Sequence, residues 1–176
     1  ALGSVPRSIE KPLETHATNV TGFINMLDAA KTNRVKRFIY ASSSSVYGDD
    51  LSLPKMEDKV GNPLSPYAVS KKTNELYAAI FSNLYDMEII GLRYFNVFGP
   101  KQNPLGPYAA VIPIFINKLL KNETCVIFGD GENKRDFTYV TNVVQANILA
   151  AVSENKLVPG QVFNVAYGAT ETINNL

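Results

Sequence analysis

Apolar side chains recur along the chain at two periods, and the way those periods alternate sets the expected architecture. Over residues 15–31, "THATNVTGFINMLDAAK", Val20, Phe23, Ile24, Leu27 and Ala30 fall at helical spacing and predict an amphipathic helix. "RVKRFIYASSSSVYG" then changes character. Phe38, Ile39 and Tyr40 form a compact apolar strand that runs out into serines. The polar stretch "DDLSLPKMEDKVGNPLS" reads as a loop and ends at Ser65-Pro66, a serine N-cap with proline at the first helical position. Val69, Thr73, Leu76, Ile80 and Leu84 mark the buried stripe expected of the helix that follows, to about Tyr85.

"MEIIGLRYFNVFG" is apolar at consecutive positions, so it reads as a strand covered on both faces and closed by Gly99-Pro100. A proline- and glycine-rich loop leads to a helix near residues 109–121. "CVIFG" is expected as a short strand meeting a turn at "DGENK", with "RDFTYV" as its neighbour. "NVVQANILAAVSE" predicts a further helix and "QVFNVAYG" a last strand. Strands alternating with helices give an α/β fold with a mainly parallel sheet.

Composition narrows the function classes. The 176 residues fit one domain or part of a larger one, and 45% apolar content is enough for a core. Seventeen Lys and Arg against sixteen Asp and Glu leave a net charge of +1, so nucleic acid is not an expected partner. Cys125 and His16 are single, which rules out an internal disulfide framework and a clustered-thiol zinc site. His16 reads as an ordinary helix residue, and Tyr47, Tyr94 and Phe128 as packing residues. The apolar run "YAAVIPIFI" is short and broken by Pro113, so no membrane span is expected. The opening "ALGSVPRSIEKP" has no signal-peptide pattern, which points to the cytoplasm.

Candidate chemistry sits around the first strand. Ligand sites of open α/β sheets lie at the carboxyl ends of strands, where Ser42, Ser43, Ser44 and Ser45 emerge. One loop later, Tyr67 and Lys71 in "YAVSKK" share a helix face at i and i+4. A phenol with a pKa near ~10 needs a nearby cation to act as a base at neutral pH. A hydroxyl, a phenol and an ammonium could therefore share proton transfer. The same residues also fit a serine-rich turn followed by an ordinary helix.

"ASSSSVYG", "SPYAVSK" and "LRYFNVFGP", in this order and spacing, resemble the extended short-chain dehydrogenase/reductase family. The likeness is to its UDP-hexose 4-epimerases, and "ALGSVPRS" with "GNPLSPYAVSK" resembles the branch acting on UDP-N-acetylglucosamine. The resemblance implies a partial Rossmann-like sheet with part of a smaller substrate-binding region. Residues 1–99 would be the later part of an NAD-binding domain, and 100–176 a substrate-binding region interleaved with it. By resemblance, Tyr67 is the general acid/base, and Lys71 lowers its pKa and holds the nicotinamide ribose. Ser43 matches the catalytic serine, with Ser44 and Ser45 in the same pocket. Asn19 and Phe95 match residues beside the cofactor, and Ser4 and Val5 sit where the family's loop reaches cofactor and sugar. Asn96 and Arg135 match ligands of the nucleotide-sugar diphosphate.

The implied reaction is reversible inversion at sugar C4 through a 4-keto intermediate, with NAD as cofactor, in polysaccharide biosynthesis. A homodimer is implied through the helices that start near Thr15 and Pro66. A 4,6-dehydratase on the same fold would want an acidic pair where Ser44 and Ser45 stand. A non-catalytic binding module is the alternative from another class, because the family's glycine-rich NAD loop is not found: "GDGENK" has Gly129 and Gly131 but the wrong context.

Overall fold

The computed structural model describes residues 1–106 and 109–176, so residues 107 and 108 of the expected proline- and glycine-rich loop lie outside the described residues. The centre is a three-stranded parallel sheet in the order β1, β2, β6 (Arg37–Ser43, Glu88–Tyr94, Val162–Val165). Register runs Arg37 opposite Glu88 to Ser43 opposite Tyr94, so the serines and the "RYFN" segment leave the sheet side by side.

Side-chain alternation sends successive strand residues to opposite faces. Phe38, Tyr40 and Ile89 pack against Phe23, Leu27 and Ala30 of α3 (Gly22–Thr32) and Ala78 and Phe81 of α4 (Pro66–Leu84). Ile39, Ile90, Leu92 and Val165 pack against Val143, Ala146 and Ala150 of α6 (Val140–Val152) on the other face. β2 is covered on both sides, as its unbroken apolar run predicts. Gly91 makes the close approach possible: a Cβ there would lie 2.6 Å from the Tyr40 hydroxyl.

The first helix starts earlier than expected. Ser4 caps α1 (Val5–Glu10), accepting from the Arg7 amide, and α2 (Pro12–His16) follows. A π-helical turn over Ala17–Thr21 joins α2 to α3. Such a turn is a common site for function. Here it turns Asn19 inward, where the side chain accepts from the Leu2 amide and donates to Leu2 O and Ser70 Oγ. Its backbone carbonyl accepts from Asn74 of α4.

Three local expectations are corrected. "CVIFG" forms no strand, and Phe128 is exposed rather than packed. "RDFTYV" pairs elsewhere. β4 (Lys134–Arg135) lies antiparallel to β7 (Glu171–Thr172), and β5 (Phe137–Tyr139) lies parallel to β3 (Asn96–Phe98). The partners are set by Asp136, which is missing from any hydrophobic count: its carboxylate accepts from the Tyr167 and Gly168 amides and from Thr138 Oγ1. The third correction is the stripe on α4. Val69, Leu76, Ile80 and Leu84 are exposed, while Ser70, Lys71, Asn74 and Glu75 are buried. The helix is inverted relative to its hydrophobic pattern because its polar face is tied to β1, β2 and the π-helical turn. α5 (Val111–Leu120) and β6 fall where the sequence predicts them.

Candidate active site

The carboxyl ends of β1 and β2 open onto a cleft of about 670 Å³. Ser43, Ser44, Ser45, Tyr67, Phe95, Asn96, Arg135 and Val5 all line it. Eight of the expected site residues are thus brought together from five separate parts of the chain. Each arrives for a local reason. Ser43 ends β1 and caps a 3-10 turn over Ser44–Tyr47, its Oγ accepting from the Ser45 amide at 3.2 Å. Gly48 closes that turn with φ +56°, and a Cβ there would clash with the Asn62 carbonyl at 1.8 Å. Tyr67 stands in the first turn of α4, fixed by the Ser65 cap, whose Oγ accepts from the Ala68 amide at 3.1 Å. Asn96 begins β3 and donates at 3.0 Å to the carbonyl of Asp136, the residue that follows Arg135.

Ser4, Asn19 and Lys71 stand outside the lining. Ser4 caps α1, and Asn19 clamps Leu2 and α4 as described. Lys71 is 4% exposed and lies under Tyr67, with its Nζ 5.8 Å from the ring centroid and donating to the Ala41 carbonyl at 2.8 Å.

Electrostatics differ from what the resemblance implies. Burial pushes the Tyr67 phenol up, and the hydrogen bond with Ser43 is what pulls it back down. Lys71 does not lower it here, because the amine is turned to the Ala41 carbonyl. Burial in turn pulls the Lys71 ammonium down. The two groups are held one helical turn apart with their charged forms both disfavoured.

Sequence reasoning missed several lining residues. Gly3, Leu53, Lys55, Lys134 and Thr170 also face the cleft. Lys134 adjoins Arg135 in the sequence, and that doublet was the available signal. Lys55 comes from the polar loop and pairs with Asp50 at 3.1 Å, a placement with no sequence signature. Tyr47, expected as packing, is buried but also donates to Asn164 Oδ1 at 2.7 Å and accepts from Arg93. Tyr94 packs and hydrogen-bonds Asn147.

A parallel α/β sheet with a serine, tyrosine and lysine at the strand carboxyl ends defines a Rossmann-like fold of the short-chain dehydrogenase/reductase kind. The chain belongs to the NAD dependent epimerase/dehydratase family, whose model matches residues 1–166. It is 41% identical over 174 residues to a putative UDP-glucose 4-epimerase of Methanocaldococcus jannaschii, covering 98% of this chain and 55% of that one. Among solved structures it resembles the UDP-N-acetylglucosamine 4-epimerase of Methanobrevibacter ruminantium M1 in complex with UDP-N-acetylmuramic acid. The TM-score is 0.93 with 45% identity, covering 99% of this chain and 55% of that chain. It also resembles the UDP-glucuronic acid 4-epimerase of Bacillus cereus with UDP-glucuronic acid and NAD, at TM-score 0.89 and 31% identity, covering 99% and 54%. The chain spans about 55% of the length of the first of these relatives.

NAD is the cofactor of this family, and relatives have been solved with it bound. The residues here fit its nicotinamide end. The cleft offers the Tyr67 phenol, the flat face of Phe95 and a buried Ser45 Oγ that has no protein partner. Among the described residues, no glycine-rich turn leads from a strand into a helix, so the fit does not extend to the diphosphate end. No helix among the described residues is long and apolar enough to cross a membrane.

Proposed function

We propose that this chain carries the catalytic half-site of a cytoplasmic, NAD-dependent UDP-sugar 4-epimerase acting on UDP-N-acetylglucosamine and its C4 epimer. The observation that carries the reading is the convergence of Ser43, Tyr67, Asn96 and Arg135 on one cleft, with Lys71 beneath. Tyr67 receives the 4-hydroxyl proton, directly or through Ser43, and returns it when the 4-keto sugar is reduced on its other face. Bound NAD supplies the hydride acceptor and donor for that step. Lys71, buried behind the ring, is the cation that would stabilise the phenolate once its amine turns from the Ala41 carbonyl, and it would hold the nicotinamide ribose when NAD is bound. Asn96 and Arg135 hold the diphosphate, the guanidinium by its charged fork. Phe95 would flank the nicotinamide and Val5 would meet the ligand at the cleft, with Ser4 holding that segment as the cap of α1. Residues 1–99 serve the cofactor half and 100–176 the substrate region. The acetylated substrate is favoured by the likeness of "ALGSVPRS" and by the 45% identity to an enzyme of that name.

The second reading is a 4,6-dehydratase, a chemistry the family's description includes. Ser44 and Ser45 on the cleft speak against it, because neither can act as the acid and base that remove water. Incubating the full-length protein with UDP-N-acetylglucosamine separates the two. The C4 epimer supports the proposal; a stable keto-deoxy product, or no product, defeats it.

The same reading includes a homodimer built on α2, α3 and α4. Leu13, Val69, Leu76, Ile80 and Leu84 are 85%, 51%, 59%, 54% and 66% exposed, an apolar surface larger than scattered single residues make. A groove of about 620 Å³ runs between α2 and α4 on that side, lined by Leu13, Val20 and Val69. Burial against a second copy removes this surface from water.

A further inference from the structure

Beneath the cleft lies a buried charged cluster that the reaction does not use. Arg93 of β2 and Glu75 of α4 are 3% and 6% exposed. Arg93 grips Glu75 with two parallel bonds, Nε to Oε1 at 2.9 Å and Nη2 to Oε2 at 2.9 Å. Ser42 Oγ donates to Oε1 at 2.6 Å, and Lys72 lies 3.8 Å from Oε2 on the outer side. Arg93 Nη1 reaches the Tyr47 hydroxyl and the Glu57 carbonyl, both at 3.0 Å. One guanidinium thus joins β2, α4, the turn that carries Ser44 and Ser45, and the polar loop.

Lys71 sits one helical turn before Glu75, on the same buried face. Residues at i and i+4 are close neighbours, and a lysine and a glutamate there attract each other. Their targets on β1 are also consecutive: Lys71 holds the Ala41 carbonyl and Glu75 the Ser42 hydroxyl. The carboxylate is nevertheless paired with Arg93 and Lys72, and Lys71 keeps its amine under the Tyr67 ring. In a buried setting a carboxylate without a buried counter-charge is costly, so removing Arg93 leaves Glu75 with only Ser42 and the outer, partly exposed Lys72, and in need of a buried cation. That cation is Lys71.

We propose that Arg93 is a positioning residue for Lys71: by filling both oxygens of Glu75, it keeps the lysine amine at the Ala41 carbonyl beneath the Tyr67 ring rather than on the carboxylate. The proposal rests on the acid–base roles given to Tyr67 and Lys71 above. It assigns Arg93 no contact with substrate or cofactor.

A crystal structure of the full-length protein carrying Arg93→Gln tests the placement without reference to activity. The lysine amine is expected to leave the Ala41 carbonyl and pair with Glu75, at about 4 Å or less. Lys71 unmoved overturns the proposal. Kinetics at matched folded fraction then separate positioning from folding. Arg93→Gln should lower kcat about a hundredfold with KM little changed, the size of a lost acid–base function. Adding Glu75→Gln removes the competing carboxylate and should restore most of that rate. A double variant as slow as the single one sinks the positioning role. Where Arg93→Gln yields no folded protein, Arg93→Met, which fills similar space without the charge, carries the same structural test with the same two outcomes. An unmodified protein that does not interconvert UDP-sugars would defeat the epimerase reading alone, because the Lys71 contact still decides the placement.

Discussion

One face of α4 carries Ser70, Lys71, Asn74 and Glu75 and is buried; the opposite face carries Val69, Leu76, Ile80 and Leu84 and is open to solvent. A helix of a soluble domain ordinarily shows the reverse. The two faces answer to different demands. The polar one is matched group by group: Lys71 to Ala41, Asn74 to Asn19, and Glu75 to Ser42 and Arg93. Burial there costs desolvation, offset by hydrogen bonds and opposite charge. The apolar one has no such partners within the chain. That exposure is what the dimer face proposed above would use.

The largest effect that could break this comparison comes from the buried pair. Glu75→Ala leaves the Arg93 charge buried without its partner and is expected to cost about 3–5 kcal/mol. Its neighbour Leu76→Ala, on the open face of the isolated chain, should cost less than about 1 kcal/mol. Equilibrium denaturation of both variants reads the difference directly. Equal costs would mean that the burial of the polar face is not what stabilises the helix.

Lys71 sharpens the same contrast, because the role proposed for it places a charged amine where burial disfavours it. Burial holds its ammonium below the ordinary lysine value. A lysine whose pKa falls on folding binds fewer protons when folded, so its charged form penalises the fold at neutral pH. The penalty fades as pH rises through the lowered folded value, and it is gone by the unfolded value. Lys71→Met should therefore raise stability at pH 7, by about 1 kcal/mol, with the gain shrinking toward pH 10. Turnover should fall about a hundredfold or more. Thermal melts at the two pH values check the sign; a gain that grows with pH would contradict the account.

The smallest expected effect on folding lies on the apolar face. Ile80→Lys should change the stability of a dilute monomer by no more than about 0.5 kcal/mol. Sedimentation velocity should show the dimer of the full-length protein replaced by monomer. An unchanged sedimentation coefficient would remove α4 from the interface.

Much of this was legible in the chain. The runs at Phe38–Tyr40 and Glu88–Tyr94 became β1 and β2, because a strand buried on both faces announces itself by an unbroken apolar stretch. Ser65-Pro66 capped α4 as its residue types require, which fixed Tyr67 at the cleft. What escaped was long-range and polar. Lys71 is expected beside Tyr67, but the burial of Glu75 has no local signal, since nothing nearby in the sequence reveals that β1 and β2 will supply Ser42, Ala41 and Arg93. "CVIFG" has a strand's composition but finds no partner edge among the described residues, and Phe128 stands exposed in it. The "RDFTYV" pairing turned on the Asp136 carboxylate capturing the Tyr167 and Gly168 amides, a contact 31 residues distant in sequence. Even the first helix carried a signal, because Ser4 with Pro6 is a capping pattern, yet its short length hid it.

The central claim is that the Tyr67 hydroxyl, between Ser43 and Lys71, moves the proton of the sugar. Tyr67→Phe in the full-length protein removes one oxygen and leaves the ring in its place on α4. Its turnover of UDP-N-acetylglucosamine, followed alongside the NAD it retains, is the direct measurement. The account predicts a loss of at least about a hundredfold with NAD still bound. Turnover equal to that of the unmodified protein would contradict it.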